Sequence, residues 1–270
     1  MLIIGVVFRV LLVSVIAVLL SLLANICAKG IGIDIKDIKQ RSNPKFLMLA
    51  VLFNFLFILA VGVILKFLDN KDITVLNLSI SAKSIIFSIS ALLITLVLAF
   101  GYVWVLNKKK IISAKLITIK KLDPYMILIK ILGFSVLFIA ALQEEVMFRG
   151  YMNSVLNSYG FLYAMIISSL IFMAWHFMTN KVNFFQAVDW FLGGIMLFYV
   201  YAASGSIWVI ALVHFSRNFA NVLVFNIANN NSLVTFEKHV SPFHKTIYTL
   251  TLSIVIILFT FVLYGNISLS

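Results

Sequence analysis

Gln143-Glu144-Glu145-Val146-Met147-Phe148-Arg149-Gly150 closes a long apolar run, Met126 to Leu142. Two adjacent carboxylates and an arginine at such a place need an account. An ionised carboxylate near the middle of a bilayer-spanning helix costs roughly 2.5 kcal/mol or more, and two side by side repel each other. The pair persists with partners, with a task, or at a helix end in the headgroup region, where charge is cheap.

Working outward, the composition makes lipid part of the solvent. Of 270 residues, 63% are hydrophobic and 11% are charged; a soluble domain is about half apolar and about a quarter charged. The expected fold is all-α, a polytopic membrane protein of about eight transmembrane helices. The formal net charge is +12. Most of the lysines lie in short loops between apolar spans, which reads as topology and contact with membrane lipid, not nucleic acid. The single cysteine, Cys27, excludes an internal disulfide and any CxxC site.

The spans follow in order. Met1 to Ala28, with Arg9 near its start, is longer than a signal-peptide core and ends in a poor cleavage site, so it reads as the first transmembrane helix. Phe46–Leu68, Ser84–Leu106, Tyr125–Arg149, Phe161–Met178, Phe184–Ala203, Ile207–Ile227 and Thr246–Tyr264 are the others. Pro124 opens the fourth, and Ser158-Tyr159-Gly160 and Ser204-Gly205-Ser206 are turns. Gly193-Gly194 lets a neighbouring helix approach the sixth span closely. Residues 1–124 form the N-terminal helices and basic loops, and residues 125–270 a core continuous with them in the membrane. Lys29, Lys36, Lys39, Arg41 and Lys45 crowd the first loop, and Lys108-Lys109-Lys110, Lys115, Lys120 and Lys121 the third. Lys181, Lys238 and Lys245 lie on the same side, which the positive-inside rule assigns to the cytoplasm, with both termini opposite. Ile112, Leu116 and Ile119 recur at helical spacing among the lysines of the third loop, a pattern that suits either a surface-lying amphipathic helix or a plain basic loop.

Polar groups inside the spans gather in three clusters. Glu145 and Arg149 are four apart on one helix face, in the favourable order for an ion pair. Glu144 sits about 100° around the helix, open to a different partner. The second cluster is His176; alone, such a histidine is usually a packing residue. The third is His214 with Asn218, again four apart, a spacing that also serves a plain interhelical hydrogen bond. Arg217 is beside them, able to meet an acidic substrate group, and Asp189 of the sixth span is a helix-end or supporting carboxylate. The chain has only 9 acidic residues and 4 histidines, yet these three spans collect two of each. A glutamate and a histidine can act on one water as general bases, while a second histidine and an amide donate to an oxyanion. Glu144, His176 and His214 can equally ligate a divalent metal such as zinc, with water in the open position. Either arrangement hydrolyses an amide bond.

Glu144-Glu145-x-x-x-Arg149, Phe172-x-x-x-His176 and His214-x-x-x-Asn218 together resemble the three motifs of the CAAX-protease and bacteriocin-processing (CPBP, or Abi) family. Gly205-Ser206-Ile207-Trp208 is similar to the family's approach to its third motif. The resemblance implies an eight-helix intramembrane endopeptidase, whose eukaryotic relatives remove the last three residues of prenylated CAAX proteins. Carried over, Glu144 and His176 activate the water, His214 and Asn218 stabilise the oxyanion, and Glu145 and Arg149 support the site. The family is often described as metalloproteases, and its best-understood members look able to work without a firmly bound metal. Bacterial members include processors of peptide pheromones and bacteriocin immunity proteins, and the Lys-, Ile-, Asn- and Phe-rich usage is similar to that of AT-rich bacterial genomes. The implied protein sits in a bacterial plasma membrane and cleaves a membrane-associated peptide or a lipidated protein. A non-catalytic immunity or regulatory protein of the same family is the alternative. A proton-coupled carrier would need a broken-helix or inverted-repeat pattern, and the sequence has neither.

Overall fold

The structure is a computed structural model that describes residues 3–34, 40, 43–117, 124–177, 182–226 and 232–265. Lys36, Lys39, Arg41, Ile119, Lys120, Lys121, Met178 and Lys181 lie outside the described residues. The chain divides into two compact units, residues 1–76 with 119–158, and residues 77–118 with 159–270.

The first unit holds α1 (Ile3–Gly30), α2 (Pro44–Phe67), α4 (Pro124–Glu145) and α5 (Met152–Leu156). Asn43 caps α2 through its side chain and Pro44 occupies the first helical position, where a missing N–H costs nothing. α2 packs on α1 and on α4. Between α4 and α5 the helix widens into a π-helix, Val146–Tyr151, so the helical run continues past the expected end at Arg149. Mid-helix π segments concentrate at functional sites. The link after α2 is pinned at two points. Arg9 of α1 pairs with Asp69, and Lys71 Nζ donates to the Ser154 carbonyl at 2.6 Å.

The second unit holds α3 (Ala82–Lys108), α6 (Phe161–Phe177), α7 (Phe184–Ser204), α8 (Ile207–Leu223) and α9 (Pro242–Tyr264), with strands β1 (Ser113–Leu116) and β2 (Val234–Lys238). α7 packs on α6, α8 and α9, and α3 on α8 and α9. α3 is inverted relative to a helix in water. Along much of its length the interior face carries Ser84, Ser88, Ala91, Thr95 and Ala99, with Phe87, Val103 and Leu106 beside them, while Ile85, Ile89, Leu93 and Val97 are outside. Lipid removes the drive to hide large apolar side chains, so small and hydroxyl residues take the interface. Ser88 and Thr95 satisfy their hydroxyls on the carbonyls of Ser84 and Ala91.

The α7–α8 corner turns on Gly205, whose left-handed backbone (φ 57°) ends α7. It is stitched to the segment before α3: Ile207 N–H donates to Asn77 O, Ser206 Oγ to Ser79 O and Trp208 Nε1 to Leu78 O.

Among the described residues, six helical runs are long and apolar enough to cross a membrane, and α6 and α8 are shorter apolar helices of 17 residues each. Together they make the expected polytopic helical membrane fold. α8 stops at Leu223, whose carbonyl accepts bonds from Leu233 N–H and the Ser232 hydroxyl; Ile227, the expected end of the span, lies outside the described residues.

Of the two readings of the third loop, the amphipathic helix is not formed over its described residues. Lys110 turns left-handed (φ 57°), Ile112 is buried, and residues 113–116 form β1, antiparallel to β2. Their partners lie beyond the seventh span, where no local periodicity registers them.

Candidate active site

In the first unit, Glu145 and Arg149 are both wholly buried, with Arg149 Nη1 donating to Glu145 Oε1 at 3.1 Å. The ion pair expected from their spacing is thus formed, across the start of the π-helix. The guanidinium also lies 5.9 Å from the centre of the Phe148 ring and feels the Glu144 carboxylate. Glu144 is half-buried. Its neighbours Val146, Met147, Phe148, Tyr151 and Met152 are buried, so the acid pair sits in an apolar collar.

In the second unit, the two motif histidines brace on one side chain. The Phe172 ring is wholly buried. His176 meets it edge-on, with centroids 4.7 Å apart and planes at 64°, and His214 meets it at 5.9 Å and 75°. Phe172 also fixes the chemistry of His176, because its carbonyl lies 2.8 Å from His176 Nδ1. A carbonyl only accepts, so Nδ1 carries the proton and Nε2 is the basic nitrogen of the neutral ring. Any residue there would supply that carbonyl; the ring contacts to both histidines are the physical reason for a phenylalanine one turn before His176. His214 is buried, and Asn218, one turn on, is half-buried.

The helices that carry these groups are held by α7. Gly194 lies against Ser169 of α6 so closely that a Cβ there would stand 2.9 Å from the Ser169 Cβ. The close approach expected at Gly193-Gly194 is present. Gly193 faces the Arg217 guanidinium, 3.3 Å from where its Cβ would be. Arg217 Nη2 donates to Asp189 Oδ2 at 2.5 Å and lies 3.5 Å from Thr249 Oγ1. The Arg217 charge is therefore engaged inside the protein and buried, which corrects the expectation that it meets a substrate. His176 further stacks on Trp190 of α7, at 4.7 Å and 28°. Sequence reasoning missed both α7 contacts; an aspartate and a tryptophan side by side in an apolar span were the signal available.

Among the described residues, no three His, Cys, Asp or Glu side chains gather as a metal-ligand set.

Residues 127–220 match the model of a family described as type II CAAX prenyl endopeptidase Rce1-like. The matched segment contains Glu144, Glu145, Arg149, His176, His214 and Asn218, consistent with the CPBP resemblance. With the apolar helices, the match supports an integral membrane protein. No curated protein and no solved structure matches the chain.

Proposed function

We propose that this protein is an intramembrane endopeptidase that hydrolyses a peptide bond in a membrane-associated peptide or a lipidated, CAAX-like protein. The observation that carries the reading is the state of His176. Its Nδ1–H is committed to the Phe172 carbonyl, which puts the basic lone pair of the neutral ring on Nε2. In the reaction, Glu144 and His176 draw the proton from a water whose oxygen attacks the scissile carbonyl carbon. His214 and Asn218 donate to the oxyanion that forms. The proton then passes to the amide nitrogen as the C–N bond breaks. Glu145 and Arg149 hold the turn that carries Glu144.

A carboxylate and two imidazoles are donor types that suit zinc. The described residues do not form a three-ligand set, so no step is assigned to a metal. The reading places the protein in a bacterial plasma membrane with its lysine-rich loops cytoplasmic, where anionic lipid complements their charge.

The test is cleavage of a reporter peptide by purified protein in liposomes. Glu144→Ala and His176→Ala each lower the rate about 10²- to 10⁴-fold, as loss of a general base does. Full activity in both variants, with a retained cellular phenotype, would identify a non-catalytic immunity or regulatory protein instead.

A further inference from the structure

The histidine that serves as base in the proposed reaction is oriented from outside its own helix, and this inference rests on that reading. The Nδ1–H bond to Phe172 is local to α6 and pins one ring atom. The Phe172 ring adds an edge-on contact from the same helix. The torsion at an sp³–sp² bond is broad, and Trp190 limits it from α7. Its indole stacks face to face on the imidazole, with centroids 4.7 Å apart and planes at 28°, within the range of aromatic contacts. The indole is bounded in turn by Phe177 at 6.2 Å. α7 cannot slide away, since Gly194 is seated on Ser169 of α6 one turn further along.

We infer that Trp190 is a positioning residue: acting through His176, it sets the plane of the imidazole and so the direction of the Nε2 lone pair. Packing alone would be satisfied by any apolar side chain of similar bulk. Setting a plane requires a flat aromatic face. Misplacing a reacting atom by about 1 Å can cost on the order of 10²-fold in rate.

The experiment compares Trp190→Leu and Trp190→Phe in the full-length protein in liposomes, with the reporter peptide and with ring-labelled histidine in magnetic resonance. The His176 signals are assigned by their disappearance in His176→Gln. The expected result for Trp190→Leu is a kcat about 10- to 100-fold lower with KM within about twofold. The His176 ring protons also lose the ring-current shift that the indole imposes. Trp190→Phe recovers most of both. Trp190→Met takes the place of the leucine variant if that variant does not accumulate. Wild-type kcat in Trp190→Leu, or equal losses in the Leu and Phe variants alongside equal falls in melting temperature, overturns the inference. If Glu144→Ala and His176→Ala keep full cleavage, the hydrolytic reading fails separately. The ring-current shift then decides whether Trp190 orients the imidazole.

Discussion

Asp189 of α7 accepts a hydrogen bond from Arg217 of α8 at 2.5 Å, and Arg217 lies between His214 and Asn218 in the sequence. Both charges are largely withdrawn from solvent. Removing one partner of a buried pair strands the other, at a cost of about 3–5 kcal/mol, while replacing both with apolar groups is often neutral. Asp189→Leu is therefore expected to unfold at lower temperature in detergent, and Asp189→Leu with Arg217→Met to recover most of the loss. A double variant no better than the single would show that the pair is not the stabilising unit.

The same reasoning separates the two adjacent glutamates. Glu145 is wholly buried and bonded to Arg149, so Glu145→Ala or Arg149→Ala lowers stability by about 3–5 kcal/mol. Glu144 is half-buried, and Glu144→Gln keeps nearly the same shape. It is expected to leave the melting temperature close to wild type while cleavage is lost. Equal stability losses at both positions would contradict the division of roles.

Gly194→Ala places a methyl group 2.9 Å from the Ser169 Cβ. Neither atom belongs to a flexible side-chain end, so the helices must part. Overpacking of this kind costs typically about 1–3 kcal/mol. Ser169→Gly in the same chain removes the closest contact but leaves the backbone Cα at 3.1 Å, so a partial recovery of melting temperature is expected.

Oxyanion donors act on kcat. Asn218→Ala is expected to lower kcat about 10²- to 10³-fold with little change in KM. A rise in KM alone would make Asn218 a substrate-binding group.

The exposed pair Lys115–Glu237, at 2.7 Å, ties β1 to β2. Hydrogen bonds from Lys115 and then from Ser113 hold the Glu237 carboxyl below the ordinary glutamate range. The hydrogen bond to Glu237 raises the Lys115 ammonium above the ordinary lysine range. The Glu237 contribution is present above its unfolded pKa and lost as pH falls through the depressed folded value. The Lys115 contribution is present below its unfolded pKa and lost as pH rises through the raised one. Amide protection in β1 and β2, taken relative to the intrinsic exchange rate at each pH, is thus greatest near neutrality and falls in acid and in strong base. A flat profile would remove the pair from any role in holding the strands.

What the sequence discloses depends on how far apart interacting residues stand along it. Glu145 with Arg149 and Phe172 with His176 sit one helical turn apart, so spacing alone brings them together. The turn at Gly205 is legible because glycine takes the left-handed backbone there without strain. Lys115 and Glu237 are 122 positions apart, and Arg217 and Asp189 are 28. Nothing local pairs them. The third loop misled for a related reason: its apolar spacing suits a helix, but its hydrogen bonds go to a strand that arrives five helices later.

The corner between α7 and α8 has a bearing on how the protein is made. Its anchors at Asn77, Leu78 and Ser79 leave the ribosome well over a hundred residues ahead of Ser206, Ile207 and Trp208, separations of 127 and 130 being recorded for two of these bonds. During synthesis those early carbonyls must rest on water or on the insertion machinery until the corner reaches them. The helix bearing His214 is thus among the last to be secured, and slow translation across residues 200–210 would prolong the interval in which the half-built bundle is open to proteolytic quality control.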